Sequence, residues 1–193
     1  VDEDASARER IGALRTEIVA LEQEFAANIA GDDRSITVES AERLSGLPQD
    51  WIDSHPPGDD GKIRITTRYP DYGPFMRYAD DDDLRKALYF EYGNRAWPAN
   101  EEVLGELIRK RNELALLTGF ATWAEAMNVT KMSGSADAVR RFIDRATAAA
   151  SDRAQKDYQL YLDRLRQDKP DADEVMPWQS YYIGNILRGE LFS

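Results

Sequence analysis

The chain is 193 residues long, room for one sizeable domain or two small ones, and a domain of this size buries roughly 70% of the surface its unfolded chain exposes. Its 25 basic and 36 acidic residues leave a formal net charge of −11, which repels phosphate backbones and anionic membranes and excludes both as expected partners. There is no cysteine, which removes disulfides, thiolate nucleophiles and cysteine zinc sites together.

Taken in order, the predicted elements are mostly helical. In "SARERIGALRTEIVALEQEFAANI" the residues Ile11, Leu14, Ile18, Leu21, Phe25 and Ile29 recur at steps of three or four, one face of an amphipathic helix. Ser6 and Glu9 offer it a capping box. "TVESAERLSGL" predicts a short helix from an N-cap at Thr37 to a stop at Gly46, and Pro48 opens another at "PQDWIDS". "HPPGDDGK" is turn material, after which "KIRITTR" alternates Ile63 and Ile65 with polar neighbours, the period of a half-buried strand. Its expected partner is "PFMRYA", which places one small β element at about residues 62–79, with Pro70 and Pro74 limiting the ladder.

Helices follow. Asp80 to Asp83 stand where a helix macrodipole favours negative charge, ahead of Leu84, Leu88 and Tyr92 on one face, and Pro98 stops that helix. Asn100 caps "EEVLGELIRKRNELALLT", with Val103, Leu104, Leu107, Ile108, Leu114 and Leu117 inward and Gly119 placed for a left-handed C-cap. Thr122 and Glu125 supply a capping box for the next helix, so that "RNELALLTGFATWAEAM" reads as two helices meeting at a tight corner. The longest element is capped at Ser135 and stopped by Pro170, with Val139, Phe142, Ile143, Ala146, Ala150, Tyr158, Tyr161, Leu162 and Leu165 as its apolar stripe. Pro177 opens a last helix. The expected fold class is mainly α, a multi-helix domain with one small β element. It forms a single helical region over 1–193, divisible into 1–79 and 80–193.

No apolar run approaches the ~18 residues of a membrane span and no charged-then-apolar leader opens the chain, so a soluble chain is expected. Chemistry is sparse. His55 is the only histidine, and in its proline-flanked loop it reads as a solvent-exposed residue rather than a base or ligand. One histidine assembles neither a Ser-His-Asp triad nor a two-histidine metal site. The run from Asp80 to Asp83 lacks the alternating spacing and distant glutamate of a calcium loop, and "GDDGK" lacks the context of a phosphate loop. With 36 acids, chance carboxylate pairs are inevitable, and none is singled out by an apolar setting. The tyrosines of "RYPDYGPFMRYA" with Tyr89, Phe90 and Tyr92 have two readings, a binding surface or packing, because a tyrosine presents an apolar body and a polar tip.

At the corner, Arg111, Asn112, Glu113, Ala115, Gly119, Phe120, Trp123, Ala124, Lys131 and Met132 resemble a stretch of the thimet oligopeptidase and oligopeptidase A family of zinc metallopeptidases. Further blocks resemble it in the same order: Phe25 and Asn28; Leu44, Gly46, Leu47 and Pro48; Ile63 and Ile65; Pro70, Tyr72, Pro74, Met76, Tyr78 and Ala79; Leu84, Arg85, Leu88, Tyr89, Tyr92, Arg95 and Ala96; and Trp178, Tyr181 and Tyr182. The resemblance implies the noncatalytic half of a clam-shaped helical peptidase, whose two halves flank a narrow channel for short peptides. In that family a His-Glu-x-x-His helix and a later glutamate hold zinc, and the motif glutamate activates water.

This chain has no such motif. It opens on Val1 and closes on "GELFS", and a noncatalytic amino-terminal or middle fragment, inactive alone, is the expectation. No residue here is assigned a catalytic, cofactor-binding or metal-ligating role. Zinc is expected in the complete protein and not in this chain. Short peptides and the missing catalytic half are the expected partners, and the expected location is cytoplasmic. The alternative is a free-standing noncatalytic helical interaction module on the same scaffold.

Overall fold

The small sheet is built from residues far apart in the chain. In the computed structural model, which describes residues 5–192, β1 (Ser35–Val38) pairs antiparallel with β2 (Ile63–Thr66), Ser35 opposite Thr66 and Val38 opposite Ile63. Ile36, Val38, Ile63 and Ile65 face inward and are buried. One small β element is present, as the alternation of Ile63 and Ile65 predicts, but its partner strand is "SITV" and not "PFMRYA". Thr37 therefore lies in a strand and caps no helix; the turn that follows is a short 3-10 segment, Ala41–Leu44. β-branched Ile36, Thr37 and Val38 suit the pleated, half-buried surface.

The segment expected to complete the ladder is α3 (Tyr69–Tyr78). Its prolines are compatible with a helix. Pro70 lies in the first turn, where no amide donor is needed. Pro74 leaves the Pro70 carbonyl without its helical donor, and the Trp51 indole, from α2 (Gln49–Asp53), donates to that oxygen at 3.3 Å.

The chain groups into two compact units: residues through Asp32 with Ala96–Ser151, and Asp33–Arg95 with Asp152 onward. A division at residue 79 falls inside the second unit, whose core joins Ala79 to Leu84 and Leu88.

In the first unit, α1 (Ala5–Gly31) runs antiparallel to α5 (Ala99–Leu117). Ile11, Leu14 and Ile18 pack on Leu107 and Leu114 as the period predicts. Ion pairs flank the seam, Arg10 to Glu113 at 2.7 Å, Lys110 to Glu17 at 2.8 Å and Arg111 to Glu22 at 2.6 Å. Two capping expectations are corrected: Ser6 lies within α1, and Asn100 lies within α5. The buried Asn100 amide instead accepts from Asn28 at 2.9 Å and donates to the Phe25 carbonyl at 3.0 Å.

The corner has the geometry its caps predict. Phe120 N donates to Ala115 O at 2.9 Å and Gly119 N to Leu116 O at 3.1 Å, a Schellman closure, with Gly119 at φ +85°. Thr122 and Glu125 then form the reciprocal capping box of α6 (Trp123–Asn128).

The second unit holds the sheet, α3 and α4 (Asp82–Gly93), the latter ending at Asn94 before Pro98 is reached. It also holds the end of α7 (Ala136–Asp168), a 3-10 turn at Pro177–Gln179 and α8 (Ser180–Phe192). Of the stripe predicted for α7, only Leu162 and Leu165 are buried; Phe142, Ile143 and Tyr158 are exposed. Among the described residues no helix is long and apolar enough to cross a membrane.

Candidate functional site

The residues singled out for chemistry are mostly committed to structure. His55 is not the exposed loop residue expected. Its ring stacks on Trp51 at 3.9 Å, Nδ1 lies 2.8 Å from the Trp51 carbonyl oxygen, and Nε2 lies 3.1 Å from Asp71. Both nitrogens thus face acceptors. Burial pushes the Asp71 carboxyl upward, but bonds from the Thr66 side chain, the Thr66 amide and His55 overcome it and hold the group below the ordinary aspartate value. "PPGDDG" is a turn: Gly58 N donates to Lys62 O at 2.8 Å, and Asp60 accepts from Lys62 N at 3.0 Å.

The aspartates around the start of α4 diverge to separate tasks. Asp80 accepts from the Tyr182 hydroxyl at 2.9 Å and from the Ser45 hydroxyl. Asp81 caps Leu84 N at 3.0 Å and pairs with Arg43 at 2.6 Å. Asp82 pairs with Arg85 at 2.7 Å and with Lys169, and accepts from Gln179 at 3.0 Å. Burial raises the Asp82 carboxyl, and the bonds from Lys169 and Gln179 with the Arg85 charge bring it below its ordinary value. Arg85, itself buried, donates to the Ala79 carbonyl and lies 3.9 Å from the centre of the Tyr182 ring. The blocks around Arg85 and Tyr182, distant in sequence, are therefore parts of one polar knot.

Zinc is the metal that the resemblance implies, and the donor set does not fit it. The chain has no cysteine and one histidine, whose ring nitrogens are engaged as described. Among the described residues, no group of three or more His, Asp and Glu side chains is placed to hold a metal ion.

What the structure does assemble is a tyrosine-walled cavity of about 510 Å³ in the second unit, between α3, α4 and α8. Tyr72 and Tyr92 stack at 3.9 Å with their planes 21° apart, and the Arg95 guanidinium lies 3.8 Å from the Tyr92 ring centre. Tyr69, Tyr89 and Tyr181 complete the aromatic lining. Burial, with the neighbouring Tyr92, Tyr89 and Tyr181 hydroxyls, pushes the Tyr72 phenol up to about 12 against the opposing effect of Arg95. The phenol is neutral at physiological pH, a hydrogen-bond group and not a base. The sequence pointed to four of these five tyrosines as either surface or packing; Tyr181 carried no such signal, because only the packing of α8 on α3 brings it here. Phe90 turns away to Trp178, 6.0 Å between ring centres, and Phe75 lies in the core.

The first unit holds a second concavity, about 600 Å³, where α1 meets the corner. Ile18, Leu114, Phe120, Trp123 and Met127 line it, with Arg15 and Glu22 on its polar side.

Residues 75–191 match the Peptidase family M3 profile. A thimet-like oligopeptidase of Dictyostelium discoideum is 32% identical over 190 residues, 93% of this chain and 28% of that protein. An oligopeptidase A of Haemophilus influenzae is 27% identical over 201 residues, 96% of this chain and 29% of that protein, and the saccharolysin of Saccharomyces cerevisiae is 25% identical over 186, covering 93% and 26%. The chain thus spans under a third of the length of the relatives it matches. The family profile includes the Arg85 and Tyr182 knot, three of the five cavity tyrosines and the corner at Gly119, and with that extent of agreement the chain belongs to peptidase family M3.

Proposed function

We propose that this chain is a noncatalytic part of a longer zinc-dependent oligopeptidase that hydrolyses short peptides. In that reading it forms one wall of the substrate channel and supports a catalytic half supplied by the rest of the polypeptide. A cytoplasmic location belongs to the same proposal.

The observation that carries it is an uncovered apolar row on a helix whose other side is buried. On α5, Val103 and Leu107 are buried, whereas Leu104 and Ile108, one turn apart and expected to face inward, are 45% and 58% exposed. Phe142 and Ile143 on α7 are also exposed. Large exposed apolar side chains in rows mark surfaces that something else covers, and a chain matching under a third of its relatives' length has a natural source for that cover.

Cleavage of a quenched fluorescent peptide tests the reading. The complete polypeptide should cleave it and lose that activity to a zinc chelator, while this chain alone stays silent. Chelator-insensitive cleavage would remove zinc from the reading. Silence from the complete polypeptide would move the assignment to the alternative, a helical interaction module using the same apolar rows.

A further inference from the structure

Among the described residues, one charged side chain lines the tyrosine-walled cavity, and that charge is positive. Around it stand Tyr69, Tyr72, Tyr89, Tyr92 and Tyr181, with Arg77 on the α3 side. Arg77 is exposed and makes no ion pair or side-chain hydrogen bond among the described residues. None of the described acids lines the cavity, although the chain carries a net charge of −11. The nearest acid in sequence on α3, Asp71, is occupied by Thr66 and His55. An unpaired cation beside an aromatic enclosure, in a protein otherwise rich in acids, is a complement for a ligand that is both aromatic and anionic.

The walls are suited to a flat ring. Tyr72, Tyr92 and the Arg95 guanidinium form a three-layer stack, which holds the two tyrosine rings in place before any ligand arrives, so less order is lost on binding. A Cβ at Gly93 would meet nothing within 4 Å, and one at Gly73 only the Tyr69 ring at 3.8 Å. Both lining positions leave open space. Tyr69 and Tyr181 at the rim are 82% and 61% exposed, free to turn onto a bound ring without disturbing the core. Neutral phenols add hydrogen-bond donors at the edge of an otherwise apolar space.

We propose that this cavity binds an aromatic side chain next to a free carboxylate, as at the carboxyl terminus of a peptide, with the ring among the tyrosines and the carboxylate on Arg77. The site binds and does no chemistry. It rests on the peptide-handling reading only for the choice of a peptide as the ligand.

The test is titration of the 193-residue chain with N-acetyl-Gly-Phe and with its carboxyl-terminal amide, followed by calorimetry and by the NMR shifts of the Gly73 and Gly93 amides. The acid should bind and move both amides, and the amide should bind about tenfold more weakly, the scale of one charge-assisted contact. Arg77→Gln should bring the acid down to the amide's affinity with an unchanged circular dichroism spectrum. N-acetyl-Gly-Leu should bind more weakly than its phenylalanine counterpart, and so should free phenylalanine, whose ammonium group faces the same arginine.

Equal binding of acid and amide, a preference that survives Arg77→Gln, shifts confined to residues outside the cavity, or no binding at 10 mM ligand would each overturn the proposal. Free phenylalanine binding as tightly as the acetylated dipeptide would overturn the peptide assignment. Hydrolysis is not read in any arm, so loss of this site and loss of the peptidase reading are separate results.

Discussion

Asp71 shows how one carboxylate can tie three local structures together. It receives the Thr66 amide at 2.9 Å from the end of β2, the Thr66 hydroxyl at 2.5 Å, and His55 from beyond α2. Its lowered pKa means that its stabilisation is fully present above the ordinary aspartate value near ~3.9 and is lost as pH falls through the lower folded-state value. Asp71→Asn should therefore cost roughly 1.5–3 kcal/mol at pH 7, the range for hydrogen bonds to a charged group, and less at pH 3. Urea denaturation at the two pH values checks both. Tyr72 and Tyr182 titrate the other way. Burial is the main cause in each, aided at Tyr182 by its bond to Asp80, and both are pushed up to about 12. A raised phenol stabilises below the unfolded value of ~10, and that contribution is lost as pH rises through 10 to 12. Ultraviolet titration should show two late-ionising tyrosines, with Tyr72→Phe and Tyr182→Phe each removing one.

Elements here are delimited by short-range chemistry, and the corner between α5 and α6 is the clearest case. Gly119 has open space around it, so its requirement is conformational: a side chain at φ +85° meets its own backbone. Gly119→Ala should cost roughly 1–2 kcal/mol through that conformation. Thr122→Ala should cost about 1 kcal/mol through the lost cap. The paired substitution tests coupling, since both act on one junction of two helices; thermal melts of the two single variants and the double give the answer. The helical Pro70–Pro74 segment has a different lesson. Proline spacing argued against a regular ladder and did so correctly, yet what replaced the ladder was a helix completed by a Trp51 side chain from another element.

At the scale of the whole molecule, the proposed channel wall rests on the uncovered apolar rows. Leu104 and Ile108 are the sharpest probes because their neighbours Val103 and Leu107 are buried on the same helix. Changing both to Gln should leave the isolated chain within about 0.5 kcal/mol of the parent, as for exposed positions in general. In the complete polypeptide the same pair should lower the unfolding temperature and the chelator-sensitive hydrolysis. Equal neutrality in both would detach this row from the proposed wall.

The sequence by itself determined the corner between α5 and α6, because a left-handed glycine and a capping box act within a few residues of the bonds they control, whereas the caps read at Ser6, Thr37 and Asn100 and the stop read at Pro98 did not hold. It also determined the inward faces of α1 and β2, whose apolar periods suffice to orient them. Tertiary structure decided the rest. β2 pairs with "SITV" across a separation the local pattern cannot encode. The apolar stripe of α7 is buried only at Leu162 and Leu165, since a period marks a face and not the presence of a partner for it. Likewise, no periodicity places Tyr181 beside Tyr72 and Tyr92. That encounter depends on how α8 packs on α3, and burial results from such encounters between distant segments.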